Sequence, residues 1–397
     1  MKNPGLRGEY KRFIKEYEDM GHMAPIRSED FHRIKYFIPH SCVVKQDSTS
    51  TKLRVVFDAS AKTNSYVSLK DIQVVGPTIQ RDLFDLLIEF RTHNKVLVAD
   101  IAKMYQQVRV AEDDTWLQCI LWRNEPKEPI KAYRLTTVTY GETSSSYLAC
   151  RALHDAGEDY RATNPTIADA IQRSFYVDNL MIGAATVDEL STMKGGIERA
   201  LLNHRLPLRK WAANDEDVLC DVPEEDLEQL VRIGHQEVIK TLGVAWNPKL
   251  DTFQFIIDGS AAASTKTLTR RQLLSRILRL YDPIGLIQPV IITAKMLMQE
   301  LTLKKGTHWD DEEPSETLLA WKKFESQLAE LQQLEIPRTA VTSRTNRTLT
   351  LHGFSDASMK AYGCVIYLHA INLRGEESRN LLCAKSRVAP SKGVTLP

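Results

Sequence analysis

Alternating apolar and polar positions predict several strands in the first half of the chain. Between residues 36 and 60, the apolar run YFIPHSCVVK and the alternating run LRVVFDAS flank the polar segment QDSTSTK, which predicts a β-hairpin. Short apolar runs at 95–100 (KVLVAD) and 174–182 (SFYVDNLMI) predict further strands. Each of these two runs carries an aspartate, one at its end and one in its middle.

Apolar residues at helical spacing predict the helices. In the segment 80–91, the apolar residues that recur on one side of a helix are Leu83, Leu86, Leu87 and Phe90. The same periodicity predicts helices over 9–20, 143–160 and 187–203. These helices interleave with the predicted strands, so the pattern indicates a mixed fold.

The second half of the chain predicts a hairpin, a basic helix and a final pair of strands. The runs IKTLGVAWNP and TFQFII, within 239–257, resemble a hairpin. Thr269 followed by Gln272 forms a capping box ahead of the helix TRRQLLSRILRLY. The segment 348–367 predicts two strands joined by a turn of small residues.

Composition narrows the class of protein. The chain has 397 residues, 43% hydrophobic and 26% charged, which is ordinary for a globular protein of two or three domains and excludes a collagen-like or disordered chain. The net charge of +1 means that any affinity for nucleic acid must come from local clusters. The six cysteines form no CxxC pair, which argues against zinc ribbons and disulfide frameworks.

No targeting or membrane segment is predicted. The N-terminus lacks the apolar core of a signal peptide, and the apolar stretch 284–298 is interrupted by polar residues and a proline. We therefore expect a soluble intracellular protein, cytoplasmic or nuclear, without a membrane partner.

The two aspartates in the β runs are candidates for metal chemistry. Phosphoryl transfer to a nucleic-acid 3′ hydroxyl needs two Mg²⁺ ions ~3.5–4 Å apart, held by carboxylates on a rigid scaffold. Asp100 follows one predicted strand and Asp178 lies within another, so the pair could begin such a site. Each could equally be a helix cap or a turn residue, and the pattern alone does not decide.

Seven blocks of sequence decide between these alternatives. In chain order they are YFIPHSCVVK with KLRVVFDAS, SLKDIQVVGPTIQRDLFDLLIEFR, VLVADIAKMYQQVRV, TTVTYGETSSSYLACRAL, FYVDNLMIG, LPLRKWAAN and TLGVAW. With these blocks in this order, nearly the whole chain resembles the reverse transcriptase and RNase H region of BEL/Pao-type LTR retrotransposon polyproteins. The resemblance implies an RNA-directed DNA polymerase that takes dNTPs and an RNA/DNA template-primer, alongside other segments of the polyprotein.

The resemblance also implies the fold. We expect an α+β right-hand polymerase with fingers, palm and thumb or connection, followed by a truncated RNase H-like α/β domain. The implied boundaries are fingers and palm over 1–185, palm end, primer grip and thumb-like region over 186–262, a helical connection over 263–345, and the incomplete RNase H-like domain over 346–397.

The palm motifs of the family imply the metal site. Asp100 and Asp178 match its two metal ligands, and the backbone carbonyl of Ile101 is implied as a further ligand, for two Mg²⁺ ions. Tyr105 matches the aromatic residue that excludes a ribonucleotide 2′-OH. Asn179 stands where the family usually has a second Asp, so this site has one negative charge fewer.

Further positions match nucleotide and primer contacts. The residues implied to bind the nucleotide, besides Tyr105, are Lys45, Arg54, Tyr140 and Gly141. The residues implied to contact primer or template are Lys210, Trp211, Gly243, Trp246, Arg270 and Arg271. For Lys45 and Arg54 the alternative is a solvated surface, and for Trp246 it is the core. The basic helix that follows Thr269 could instead present a solvated face.

The last region resembles the opening strands of an RNase H-like domain, where Asp356 matches a Mg²⁺-binding aspartate on the first strand. Such a site needs several acids, so we expect this half to be incomplete and inert as given.

Two other functions remain open. The substitution at Asn179 and the missing acids suggest a catalytically decayed, nucleic-acid-binding remnant. The region after the polymerase is also sometimes described as a Pao aspartic peptidase. That activity needs a D-[ST]-G turn, and the nearest strings are DAS at 58–60 and 356–358 and DGS at 258–260.

Overall fold

The computed structural model describes residues 4–44, 53–233, 236–257, 267–303, 308–312, 315–341 and 346–390. Lys45, one of the predicted nucleotide contacts, lies outside these residues. The chain divides into two compact units, each built from three segments. The first unit comprises Met1–Arg81, Asp100–Asp178 and Lys194–Arg209, and the second comprises Asp82–Ala99, Asn179–Met193 and Lys210–Pro397.

The described residues form helices and strands throughout, which confirms the α+β class. The helices are α1 (Pro4–Asp19), α2 (Leu69–Ile72), α3 (Leu83–Phe90), α4 (Met104–Gln107), α5 (Ser145–Tyr160), α6 (Pro165–Arg173), α7 (Val187–Asn203), α8 (Arg270–Leu278), α9 (Gln288–Leu303) and α10 (Ser315–Leu328). The strands are β1 (Met23–Pro25), β2 (His40–Val44), β3 (Leu53–Phe57), β4 (Lys95–Ile101), β5 (Cys119–Trp122), β6 (Lys131–Leu135), β7 (Phe175–Tyr176), β8 (Asn179–Ala184), β9 (Leu208–Ala213), β10 (Val231–Ile233), β11 (Gln236–Thr241), β12 (Val244–Asn247), β13 (Thr252–Gln254), β14 (Ile336–Pro337), β15 (Asn346–Ala357), β16 (Ala361–Asn372) and β17 (Glu377–Val388).

The first unit is built around the predicted β-hairpin. Strands β2 and β3 pair antiparallel, and alternation along β3 buries Leu53, Val55 and Phe57 while leaving its other residues exposed. These side chains pack in one cluster with Tyr10 and Ile14 of α1. The hairpin is therefore held by one apolar face, as its period of two predicts.

A four-stranded sheet has the order β7-β8-β4-β9; Asp100 lies in β4 and Asp178 in the turn between β7 and β8. The continuous apolar run of β4 is buried from Val96 to Ala99, which is typical of a strand covered on both faces. In the second unit, Leu87 and Phe90 of α3 pack in one cluster with this strand. The periodicity of α3 thus explains which of its faces is buried.

A five-stranded sheet with the order β10-β11-β12-β13-β14 encloses a buried ion pair. Arg338, which is 0% exposed, donates through Nε to Asp251 Oδ1 at 2.6 Å and through Nη2 to Oδ2 at 2.8 Å. Asp251 also accepts from Trp246 Nε1 at 3.0 Å and from Asn214 Nδ2 at 3.1 Å. The fully buried Arg91 donates to the carbonyls of residues 337, 338 and 382. This network joins α3, β14 and β17 within the second unit.

The predicted capping box at the start of α8 is confirmed. Gln272 N–H donates to Thr269 Oγ1 at 3.3 Å, and Thr269 N–H donates to Gln272 Oε1 at 3.0 Å. Leu273 and Ile277 of α8 are buried in a cluster with helices α9 and α10, whereas Leu278 is 70% exposed. The apolar residues of this helix are therefore only partly buried in the core.

The C-terminal sheet has the order β15-β16-β17, so a third strand joins the two that were predicted. Strand β15 is exposed along its described side chains, from Thr348 onward. Strand β17 packs against α9, where Ser386 Oγ donates to Gln288 Oε1 at 2.7 Å. Among all the residues with described positions, no helix has the length and apolar character needed to cross a bilayer.

Candidate active site

Asp100 and Asp178, which are 78 positions apart in sequence, are brought to neighbouring backbone positions in the first unit. Ile101 N–H donates to the carbonyl oxygen of Asp178 at 2.8 Å, and the next amide, of Ala102, donates to the carbonyl of Pro207 at 2.8 Å. Both aspartates are half-buried. Their backbones are therefore adjacent, and neither residue is fully buried.

The turn that carries Asp178 has a strained backbone. Val177 and Asp178 form the two-residue connection between β7 and β8, and Val177 adopts a φ of +58°. A β-branched residue in the left-handed region is a genuine outlier, because its Cβ crowds the backbone there. Such strain costs of order 1–3 kcal/mol and is typical of functional sites.

Helix α5 supplies two side chains that sequence analysis did not place in the site. Cys150 Sγ donates to Gln80 Oε1 at 3.3 Å, and burial, together with the nearby charge of Asp178, raises the pKa of the Cys150 thiol to about 11. One turn earlier, Ser146 Oγ lies 3.3 Å from the hydroxyl of Tyr105. The signal that could have found Cys150 is its spacing of four residues from Ser146, which places both on one helix face.

The donor set fits Mg²⁺ better than it fits a softer metal. Mg²⁺ is usually bound by one or two carboxylates with substrate phosphates and waters completing its shell. The predicted ligands would be the carboxylates of Asp100 and Asp178 and the backbone carbonyl of Ile101, while the neutral thiol of Cys150 adds no charge. In the parts of the chain that the structure describes, no group of three or more His, Cys, Asp or Glu side chains is arranged to hold a metal. Asn179 opens β8 directly after Asp178 and is half-buried.

Three other predicted nucleotide contacts, Arg54, Tyr140 and Gly141, lie on or against the β2–β3 hairpin. Arg54 is exposed on β3. Tyr140 donates its hydroxyl to the carbonyl of Val55 at 2.8 Å, and burial raises its pKa. Gly141 has a φ of +99°, and a Cβ there would lie 2.6 Å from the carbonyl oxygen of Phe57. Tyr140 and Gly141 thus hold the hairpin against the segment that precedes α5.

A half-buried pair that sequence analysis missed, Gln73 and Glu142, continues this segment. Gln73 Nε2 donates to Glu142 Oε2 at 2.7 Å, and the Thr143 amide donates to Gln73 Oε1 at 3.0 Å. Burial raises the pKa of Glu142. The pair fixes the loop that follows α2 to the segment around Gly141.

The residues predicted to contact primer or template have different environments. Lys210 is exposed and has a φ of +56°, whereas its neighbour Trp211 is 2% exposed. Trp246 is 0% exposed and packs edge-on to Phe90 with ring centroids 5.3 Å apart. Of the two alternatives for Trp246, the structure supports the core. A buried indole has no face to offer a nucleic acid, so the same correction applies to Trp211.

Gly243, Arg270 and Arg271 also differ in their exposure to solvent. Gly243 is exposed in the turn between β11 and β12. Arg270 is only 5% exposed, so its side chain is part of the packing of α8 and does not offer a phosphate contact. Arg271 is exposed and pairs with Asp310 through Nε–Oδ1 at 2.7 Å and Nη2–Oδ2 at 3.0 Å.

Asp356 lies near the end of β15 in the second unit. It is exposed, and its Oδ1 accepts from the amide of Ala357 at 2.8 Å. Its strand partner is Gly363, as the pairing of β15 with β16 requires. Asp356 borders a cleft of about 500 Å³ between this sheet and the start of α9.

Comparison with known proteins supports two parts of this description. Residues 269–397 match the family model described as Pao retrotransposon-like RNaseH-like domain, and the match begins ahead of the predicted boundary at 346. No curated protein matches the chain in sequence.

Two solved structures of a foamy viral protease-reverse transcriptase are similar to 98% of the chain at 15% sequence identity. One, a dRH form in complex with double-stranded DNA, gives a TM-score of 0.61, and the other, in complex with an RNA/DNA hybrid, gives 0.57. The chain spans 57% and 44% of the lengths of those two proteins. The similarity confirms a reverse transcriptase-like fold over nearly the whole chain.

Proposed function

We propose that this chain is the RNA-directed DNA polymerase region of a retrotransposon polyprotein, and that Asp100 and Asp178 are its catalytic carboxylates. The observation that supports the proposal most directly is the 2.8 Å hydrogen bond from Ile101 N–H to the carbonyl of Asp178. The bond joins the backbones at the two half-buried aspartates, which supports a shared metal site within a reverse transcriptase-like fold.

In this proposal Asp100, Asp178 and the Ile101 carbonyl would hold two Mg²⁺ ions. When bound, these ions would activate the primer 3′ hydroxyl and neutralise the charge of the triphosphate. The strained turn at Val177 would limit movement of the Asp178 backbone, so that little reorganisation would be needed when charge develops. The hydroxyl of Tyr105, held near Ser146, positions the ring for the role of excluding a ribonucleotide 2′-OH.

The environment of Cys150 is consistent with this assignment. A thiol whose pKa is raised to about 11 stays protonated at neutral pH, so it adds no negative charge beside Asp178. The carboxylates are then the only anionic side chains among the residues assigned to the metal ions. The proposed contacts of the incoming dNTP include Lys45, Arg54 and Tyr105.

Primer extension on a primed RNA template with Mg²⁺ tests the proposal. We expect Asp100→Asn and Asp178→Asn each to lower the extension rate by about 10²–10³ or more, since each removes a charge-stabilising group from the transition state. Asp113→Asn is the matched control, because Asp113 has a side chain that is 91% exposed in the same unit. Extension by Asp100→Asn at the wild-type rate would refute the assignment.

The second candidate function is a decayed protein that binds nucleic acid without polymerising. It is favoured by Asn179, which leaves the site one carboxylate short of the family pattern. If the wild type is inactive but Asn179→Asp extends a primer, the loss at this position is the cause. If both are inactive while the protein still binds an RNA/DNA duplex, the decayed function is supported.

A further inference from the structure

A cleft of about 600 Å³ in the first unit is lined by side chains of α1 and of the β5–β6 pair. Lys11, Arg12 and Lys15 line it from α1, and Trp122 and Tyr133 line it from the strands. No residue of this cleft lies in the seven matched sequence blocks. Its volume falls in the range of pockets that bind small organic molecules, so a nucleotide can enter it.

Trp122 forms a fixed aromatic wall of the cleft. Its indole stacks on the buried ring of Tyr10, with ring centroids 5.1 Å apart and planes 8° apart. Trp122 Nε1 donates to Asn124 Oδ1 at 2.9 Å. Trp122 is half-buried and borders the cleft. An aromatic ring that is already held in place loses little conformational freedom when a ligand packs against it.

Two ion pairs tie α1 to the segment that follows β5. Arg7 Nη2 donates to Glu125 Oε2 at 2.6 Å, and Lys11 Nζ pairs with Oε1 of the same carboxylate. Arg7 Nη2 also donates to the carbonyl of Asn124 at 2.9 Å. Each exposed pair contributes little stability by itself, but together these contacts join the two sides of the cleft.

The cations of the cleft outnumber its acids. Arg12 is exposed and makes no ion pair with the residues that the structure describes. Lys131, also exposed, is the strand partner of Trp122, so the two side chains leave the β5–β6 pair on the same face. Lys15 pairs with an acid four residues on in its own helix. Among the described residues that line the cleft, Glu18 is the only acid.

An aromatic wall beside cations is the combination that binds single-stranded nucleic acid. An unpaired base can stack on the ring while its phosphate contacts a cation. The bases inside a duplex are paired and stacked on one another, so they have no free face for the ring. An acidic peptide would use the cations but would gain nothing from stacking. The chemistry of the cleft therefore favours an unpaired strand.

We propose that this cleft, the Trp122 cleft, binds unpaired nucleotides of a single-stranded RNA, with a base against Trp122 and phosphates near Arg12 and Lys131. The inference rests on the proposed polymerase function for the identity of that strand, which is template that has not yet been copied. It adds a nucleic-acid site in the first unit that needs neither Asp100 nor Asp178.

Fluorescence anisotropy with a fluorescein-labelled single-stranded RNA of about ten nucleotides, in EDTA, tests the cleft without extension. We expect Trp122→Leu to weaken Kd by about 5- to 100-fold, whereas Trp122→Tyr, which keeps an aromatic face, should stay within about three-fold of the wild type. Phe31→Leu, which removes a 51% exposed ring elsewhere in the first unit, is the matched control and should bind as the wild type does. Thermal unfolding of each variant verifies that it is folded.

Arg12→Gln decides the test if Trp122→Leu does not fold, because the Arg12 side chain is exposed. Loss of one phosphate contact should lower the magnitude of the slope of log affinity against log salt concentration by about 0.7. Arg199→Gln removes another exposed arginine of the first unit, outside the cleft, and should leave that slope unchanged.

The outcomes separate the cleft from the polymerase function. Weaker single-strand binding by Trp122→Leu and a smaller salt slope in Arg12→Gln support the cleft, provided that affinity for a blunt RNA/DNA duplex stays within about two-fold of the wild type. Unchanged single-strand affinity in a folded Trp122→Leu protein overturns it, as does an unchanged salt slope in Arg12→Gln. Equal weakening of duplex binding also overturns it, as does polyglutamate that displaces the RNA as well as unlabelled RNA does.

Primer extension completes the separation. If the wild type extends a primer while the Trp122 and Arg12 variants bind single strands normally, only the cleft fails. If single-strand binding depends on Trp122 but neither the wild type nor Asn179→Asp extends a primer, only the polymerase function fails.

Discussion

The buried pair of Arg338 and Asp251 gives the sharpest prediction about stability. Arg338 has no exposed side-chain surface, whereas the side chain of Asp251 is 23% exposed. Asp251→Asn removes the negative charge but keeps the shape. The amide oxygen of the asparagine can still accept hydrogen bonds. Its NH₂ group, however, takes the place of a carboxylate oxygen that accepts hydrogen bonds in the wild type, and so faces N–H donors.

The loss in the free energy of unfolding depends on which charged partner remains in the protein. Breaking a buried ion pair from one side costs roughly 3–5 kcal/mol, because the remaining charge is uncompensated in a low dielectric. Since water reaches part of Asp251, we expect the lower end, about 3 kcal/mol, for Asp251→Asn. Arg338→Met should cost about 2 kcal/mol, because the carboxylate left behind is partly hydrated and keeps its bonds from Trp246 and Asn214.

Urea unfolding, followed by tryptophan fluorescence and circular dichroism, measures both losses. The double variant Asp251→Asn/Arg338→Met should lose less than the sum, since each single change already breaks the pair. The matched control is Asp310→Asn. Asp310 pairs with Arg271 in the same two-bond geometry, but with side chains 72% and 64% exposed, so its urea midpoint should not change.

Two results would refute this reasoning. One is an Asp251→Asn protein within about 1 kcal/mol of the wild type, which would mean that the charge of Arg338 is compensated by carbonyl groups alone. The other is an Asp310→Asn protein that is destabilised as much as Asp251→Asn. In that case burial would not be the property that makes the pair matter.

Two substitutions and one labelling experiment test other features of the structure. Gly285→Ala should destabilise the protein by at least about 2 kcal/mol in thermal unfolding. The φ of Gly285 is +81°, and the added Cβ would lie 1.8 Å from the carbonyl oxygen of Ala384. An unchanged Tm would contradict this prediction. Tyr140→Phe loses one hydrogen bond to the backbone of β3 and should cost about 1 kcal/mol in urea unfolding, whereas no loss would mean that water replaces the bond. Burial raises the pKa of Cys150 to about 11, so its reactive thiolate forms only as pH rises toward that value. Iodoacetamide at pH 8 should therefore label the exposed Cys220 well before Cys150, which mass spectrometry of timed samples would show. Equal labelling rates would contradict the raised pKa.

Local patterns in the sequence determined most of the helices and strands. Helix α7 begins and ends where its periodicity predicts, at Val187 and Asn203, and the capping box predicted at Thr269 forms. Thr186 and Glu189 form a second such box, which the sequence analysis did not predict. These features depend on groups within four residues of one another, so the sequence specifies them directly. The motif blocks likewise pointed to the reverse transcriptase-like fold.

The tertiary structure alone decided which side chains are available to a ligand. Trp211, Trp246 and Arg270 match primer or template positions in sequence, yet each is buried in the folded chain. Trp246, for example, packs against Phe90, which lies 156 positions earlier in the sequence. The hydrogen bond from residue 101 to residue 178 and the pairing of Asp251 with Arg338 also join distant segments. Periodicity in the sequence identifies the apolar face of a single helix or strand. Which residues bury that face depends on tertiary contacts between segments distant in sequence.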